Sequence, residues 1–327
     1  MSSIEEPVLV IGDACVDLMV QVPKKSGSDR QHPPPELHGG GTGANTAVAL
    51  ARLNVATTFM GTIGDDSYGR FARSTLEAEG IGTSYVITDH HAYTALVLAL
   101  IDPQGERSLF GWPRRGAAHT QLAPEQIKSE IIQQMAWVHT TGMCLVEPPS
   151  REAVLRGLEL ARTANIPVSI DINLRLGFED GQLPERFVET IRQAVSLANY
   201  VFGSGMDEIV YLVPTDSFEA AARLLAEDQR TVIVRLGSEG ALAVRAGLDA
   251  VISPAFPVEV VDTLGAGDAF NAGFIAAHIE GKPLEEALRW GNAVAALKIG
   301  RPGARSVPYR SEVENFLNTE SGGRHDD

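Results

Sequence analysis

The chain is short of cysteine, of positive charge and of long apolar runs. Its two cysteines, Cys15 and Cys144, stand in no CxxC or Cys/His spacing, which argues against a disulfide framework. Scarce cysteine suits a reducing compartment, so a cytoplasmic location is expected. Lys and Arg number 27 against 42 Asp and Glu, a formal net charge of −15. A charge of that sign disfavours nucleic acid as a general partner. No apolar stretch approaches the roughly 20 residues of a membrane-spanning helix, and no membrane partner is expected. "MSSIEEPVLVIG" at the start is acidic and its apolar run is short, unlike a signal peptide. A Walker A pattern is missing, because the one Gly-Lys pair, Gly281-Lys282, runs into Pro283. "GGGTGA" (39–44) fits GxGxxA loosely but does not directly follow the first strand, as a dinucleotide site requires.

What is present is a chain of 327 residues with 44% hydrophobic content, enough for a large core. Strand-like runs are "VLVIG" (8–12), "TTFMGTIG" (57–64), "ALVLALID" (95–102), "AWVHTTG" (136–142), "IPVSIDIN" (166–173), "ANYVFGS" (198–204) and "TVIVRLG" (231–237). Helical patterns lie between them, at 44–53, 66–80, 151–165 and 218–228. This alternation predicts an α/β fold with a mostly parallel sheet. Two regions break it: "VDLMVQVPKK" (16–25), and 92–112, which reads as two strands around a Gly-containing turn. Both can build a small separate sheet. The tail 318–327 is expected to fray.

The chemistry concentrates in "VVDTLGAGDAFNAGF" (260–274). A glycine turn opening a helix attracts an anion, through backbone N–H groups and the helix dipole. Asp268 sits in the first helical turn, where a carboxylate is also an ordinary cap. The sharper reading is phosphoryl transfer to a hydroxyl. The amides hold negative charge while the carboxylate takes the proton of the attacking alcohol.

"GGGTGANTAVALARL" (39–53) and "VVDTLGAGDAFNAGF", in this order and about 220 residues apart, resemble the two signatures of the ribokinase-like (PfkB) carbohydrate kinases. The resemblance covers roughly residues 7–317. It implies a doubly wound, mostly parallel sheet with helices on both faces, and a small β-sheet lid from about 15–37 and 92–115. It implies Asp268 as base, with Gly265, Ala266 and Gly267 as the anion hole. It assigns Asp17, Gly40, Gly41 and Asn45 to the sugar. "DINLR" (171–175) resembles a phosphate-proximal segment, and if extended would turn Asp171, Asn173 and Arg175 to one side. Gly237 and Gly240 resemble a loop by the nucleotide, and Asn292 a position near the adenine. The carbonyls near Asp262 and Leu264, with the loop 300–306, resemble a site for a monovalent cation such as K+.

Two departures stand out. Thr42 occupies the place of a common lysine, which puts ribose in doubt. The metal-linked N-x-x-E appears as "SGMD" (204–207), with Asp207 and Glu208 both candidates to orient Mg2+ through water. Histidines 90, 91, 119 and 139 show no metal spacing and read as structural or surface residues. Arg114 and Arg115 read as a surface pair, with an acidic substrate as the alternative. The expected function is an ATP- and Mg2+-dependent kinase of a small sugar or sugar acid, as a homodimer through the lid. The alternatives are a nucleoside kinase of the same fold and a non-catalytic sugar-binding regulatory protein.

Overall fold

The computed structural model describes residues 6–22, 33–102, 107–113, 115–174, 185–213, 215–228 and 230–322. The first half runs β1 (Val8–Ile11), β2 (Cys15–Gln21), β3 (Glu36–Gly40), α1 (Thr42–Arg52), β4 (Thr57–Gly64) and α2 (Ser67–Ala78). It continues through β5 (Gly82–Asp89), β6 (Ala95–Ile101), β7 (Arg107–Trp112), α3 (Ser129–Ile132) and β8 (Trp137–Thr141). Next come α4 (Ser150–Thr163), β9 (Val168–Asp171), α5 (Glu185–Leu197), β10 (Tyr200–Ser204), α6 (Phe218–Leu225) and β11 (Thr231–Arg235). Last are β12 (Ala241–Arg245), β13 (Val251–Ser253), α7 (Ala266–Ile279), α8 (Leu284–Ile299) and α9 (Arg310–Gly322).

Among the described residues, nine strands form one sheet in the order β13-β12-β11-β10-β9-β8-β1-β4-β5. It is parallel from β5 to β11 and antiparallel at β12 and β13. Strand β1 reads VLVI because it is buried on both faces. Its side chains alternate between two cores: Val8 and Val10 enter the one beneath α1, α7 and α8, and Leu9 and Ile11 the one beneath α4, α5 and α6. Two helical layers therefore sandwich the sheet, as expected for a doubly wound fold. The first strand has β4 on one side and β8 on the other, so its carboxyl end is a topological switch point.

Strands β2, β6 and β7, from the two regions that broke the alternation, form a second sheet together with β3, which no strand-like run marked, in the order β3-β2-β6-β7. Helix starts follow local chemistry. Asp66 caps α2 by accepting from the Gly69 N–H at 2.7 Å. Gly265 caps α7 at φ 79, and a Cβ there would lie 2.7 Å from the Ala304 carbonyl oxygen, so glycine is required twice over. The last helix continues to Gly322, into the segment expected to fray; residues 323–327 lie outside the described residues. No helix among the described residues is long and apolar enough to cross a membrane.

Candidate active site

Four parallel strands end at one edge, and their last residues or the turns after them supply polar groups. Asp13 follows β1, Asp171 ends β9, Ser204 ends β10 and Arg235 ends β11. The N-termini of α1 and α7 open on the same edge, and Asn45 of α1 donates to Asp268 of α7 at 3.0 Å. Asp268 is buried. Burial raises its carboxyl to about 7, with Asp171 and Asp13 adding to the shift, while the Asn45 amide and Arg235 oppose it.

A guanidinium lies against the glycine turn. Arg235 forms a two-pronged pair with Asp171, both contacts at 2.8 Å, and also meets Asn271 Oδ1 at 3.0 Å and Glu208 at 3.2 Å. Asn271 returns a bond to Asp171 at 2.6 Å. A Cβ on Gly267 would stand 2.9 Å from Arg235 Nη1, so this glycine makes room for the arginine. Burial pushes Asp171 up, but the charge and hydrogen bonds of Arg235 outweigh it and hold the carboxyl below its ordinary value. Glu208 is shifted the other way, by burial and by Asp171.

The second cluster joins the small sheet to α1. A Cβ on Gly40 would lie 2.7 Å from both carboxylate oxygens of Asp17, which therefore rests directly on that glycine. Burial raises the Asp17 carboxyl, against the pull of Arg305. Arg305 donates to Asn45 Oδ1 at 3.0 Å, to the Gly40 carbonyl at 2.8 Å and to Thr75 at 3.0 Å. A chain of contacts thus runs Arg305, Asn45, Asp268. Gly41 adopts φ 99, where a Cβ would meet the Asp13 carbonyl oxygen at 2.5 Å.

Residues 5–310 match the pfkB family carbohydrate kinases. The chain belongs to the pfkB family of carbohydrate kinases. It is accordingly a phosphotransferase with an alcohol group as acceptor. It is 35% identical over 279 residues to an ATP-dependent ribose-1-phosphate kinase of Halopiger xanaduensis, covering 85% of this chain and 86% of that one. It is 32% identical to a fructokinase of Vibrio alginolyticus, over 95% of this chain and 98% of the relative. Among solved structures, aminoimidazole riboside kinase of Salmonella enterica superposes with a TM-score of 0.78 at 29% identity, covering 95% of this chain and 99% of that one. Fructokinase of Vibrio cholerae does so with a TM-score of 0.80, also at 29% identity, over 95% and 99%.

Within this kinase the remaining expected residues divide. The segment "DINLR" is not extended past Asp171: β9 ends there, and Asn173 takes a left-handed φ of 41, so it does not follow Asp171 along one face. Arg175 and Arg114 lie outside the described residues; Arg115 is exposed. Of the two adjacent carboxylates, Asp207 is exposed and Glu208 is buried, accepting from Ser204 N–H at 2.6 Å and Leu174 N–H at 2.9 Å. Of the three turn amides, that of Ala266 donates to the Thr263 carbonyl at 3.1 Å. Gly237 and Gly240 form the β11–β12 hairpin turn at φ 60 and 100; a Cβ on Gly237 would meet nothing within 4 Å. Asn292 clamps β13, donating to Ser253 O at 2.9 Å and Pro254 O at 3.2 Å.

Thr42 is also accounted for: its N–H and hydroxyl bind Asp13 at 3.0 and 2.9 Å, so it locks the start of α1 to the switch point. His139 lies within β8, buried and held neutral at about 4, with Nδ1 on Ser169 at 2.8 Å. The Asp262 carbonyl, among those expected near a monovalent cation, accepts from the Lys298 ammonium at 2.6 Å. Sequence reasoning missed Asp13, Arg235, Asn271, Lys298 and Arg305. The one hint for Arg235 is a lone charge closing the buried run "TVIVR".

Proposed function

We propose that this kinase transfers the γ-phosphoryl group of ATP to a primary hydroxyl of a small sugar or sugar acid, with Asp268 as general base. The observation that carries the reading is a buried carboxyl, raised to about 7, at the mouth of a glycine turn that opens a helix. A base of that pKa is about half ionised near neutral pH and basic enough to accept an alcohol proton.

The sugar lies on Asp17, Gly40, Gly41 and Asn45. A carboxylate and an amide together offer acceptors and donors to adjacent hydroxyls, and an amide with two donors and two lone pairs is not exhausted by its bonds to Asp268 and Arg305. The hydroxyl oxygen attacks the γ-phosphorus in line. Its proton passes to an Asp268 oxygen, the new O–P bond forms, and the bond to the ADP oxygen breaks. The Gly265 and Gly267 amides and the start of α7 meet the charge on the transferring group; Ala266 joins them only by giving up its bond to Thr263. Arg235 faces the same turn at Gly267 and brings a positive charge to it. The nucleotide runs from there past Gly237, whose unfilled side leaves room for it, and Gly240, with Asn292 supporting the strand behind the base pocket.

Magnesium bound together with ATP would neutralise charge on the phosphates. Glu208, with Asp171 beside it, is the carboxylate aimed inward; Asp207 is not needed.

Aminoimidazole riboside kinase relatives favour one second reading, a nucleoside or riboside as acceptor. The protein works as a dimer through the small sheet, supported by Leu109, Phe110 and Trp112, which are 60%, 54% and 69% exposed on β7. It works in the cytoplasm, supported by two free, buried cysteines. ADP release from Mg·ATP against fructose, ribose, ribose 1-phosphate, 5-dehydro-2-deoxygluconate, adenosine and aminoimidazole riboside tests the reading. One acceptor should stand out by at least tenfold in kcat/KM. ATP turnover that no acceptor stimulates would contradict it.

A further inference from the structure

The turn that precedes Asp268 is fastened to the end of α8. Val261 and Asp262 N–H groups both donate to the Ile299 carbonyl, at 2.8 and 3.0 Å. The Asp262 carboxylate accepts from Leu264 N–H at 3.0 Å and from Gly303 N–H at 2.8 Å. Gly265 packs on the Ala304 carbonyl so closely that a Cβ would sit 2.7 Å from its oxygen. Inside this junction lies Lys298, with 0% of its surface exposed, donating from its ammonium to the Asp262 carbonyl at 2.6 Å.

A fully buried ammonium is costly unless its surroundings repay it. Two features do. Lys298 stands in the last turn of α8, where the helix dipole favours a cation. The residue whose carbonyl it meets also carries a buried carboxylate. The junction therefore already contains one positive charge at the carbonyl that a monovalent cation was expected to face.

We infer that the Lys298 ammonium serves as a built-in monovalent cation, fixing the 262–265 turn so that the anion hole and Asp268 hold their positions without K+. Lys298 touches neither substrate nor the transferring phosphoryl group; it is a positioning residue that acts through Asp262 and the turn. The inference rests on the proposed role of that turn in phosphoryl transfer, and it replaces the expected K+ site.

The test compares KCl, NaCl and choline chloride at equal ionic strength, reading initial rate and thermal midpoint. For the native protein we expect rates within twofold across the three salts and midpoints that do not separate K+ from choline. Lys298→Met removes the charge and keeps most of the volume. In choline its kcat should fall at least tenfold with KM for the acceptor little changed. Added K+, ammonium or methylammonium should recover a large part of the loss and raise its midpoint. A native rate or midpoint that rises severalfold, or by several degrees, specifically with K+ would overturn the inference. A Lys298→Met protein indifferent to all salts and fully active would do the same. If the variant does not fold, the native salt comparison and thallium(I) NMR of the native protein still decide. A bound thallium resonance that K+ displaces contradicts a built-in cation, and none supports it. Failure of the kinase reading looks different, because no acceptor then supports transfer in any salt.

Discussion

Asn45 and Asp268, 223 residues apart in the chain, meet at 3.0 Å where α1 and α7 begin. The bond links the proposed sugar-binding segment at the start of α1 to the glycine turn and stabilises the ionised carboxylate against burial. Removing it should therefore raise the base further above its ordinary value. For Asn45→Ala, the rising limb of kcat/KM against pH should move to higher pH by half a unit or more, a shift that by itself costs about twofold or more at neutral pH. Arg305 also loses a partner, so the acceptor KM should rise as well. A pH profile that keeps its native midpoint would remove Asn45 from the control of Asp268.

Asp268 itself should cost stability. A carboxyl raised from 3.8 to about 7 binds its proton more tightly in the folded state, so stability falls as pH rises from about 4 to 7 and stays reduced above. Asp268→Asn should raise the unfolding free energy at pH 8, by at most about 4 kcal/mol at ~1.4 kcal/mol per pKa unit, and change little below pH 4. His139 acts with the opposite sign. Held at about 4, it makes stability rise with pH between 4 and its ordinary 6.5. Denaturant titrations of the variant should thus show a steeper rise over pH 4–6.5 than the native protein.

The Arg235 network carries a separate expectation. Arg235→Met leaves the buried Asp171 and Glu208 carboxylates without their guanidinium. The loss should be about 3–5 kcal/mol of stability, alongside transfer activity. Arg235→Lys should restore part of the stability but not the rate, because an ammonium cannot reproduce the two-pronged contact. Equal recovery of both by lysine would reduce Arg235 to a point charge.

Gly40→Ala probes the proposed sugar cluster. A Cβ there would sit 2.7 Å from both Asp17 oxygens. The carboxylate must move, and the acceptor KM should rise about tenfold or more while the KM for ATP stays near native. An unchanged acceptor KM would remove Asp17 from the sugar site.

Much of this site could be read from contiguous sequence, and the reason is physical. Turns that bind anions use successive backbone N–H groups, so Gly265 to Asp268 is legible as one short word. The same holds for Gly40, Gly41 and Asn45, where the chain passes from strand into helix. The Asp171–Arg235–Asn271–Glu208 network is not, because its members come from different strand ends and a helix and only the sheet order brings them together. "DINLR" does not stay extended because Asn173, a residue type that tolerates the left-handed region, turns the chain after β9. Lys298 looks like any lysine ending a helix until α8 is packed against the turn at Asp262.

The central claim is that Asp268 takes the proton of the acceptor hydroxyl. The most direct test is single-turnover ADP formation by Asp268→Asn, with acceptor binding measured by calorimetry on the same preparation. The expected result is acceptor affinity within a few-fold of native and a transfer rate lowered by about a thousandfold or more. A variant that binds acceptor and still transfers phosphate at a near-native rate would show that the proton leaves by another route.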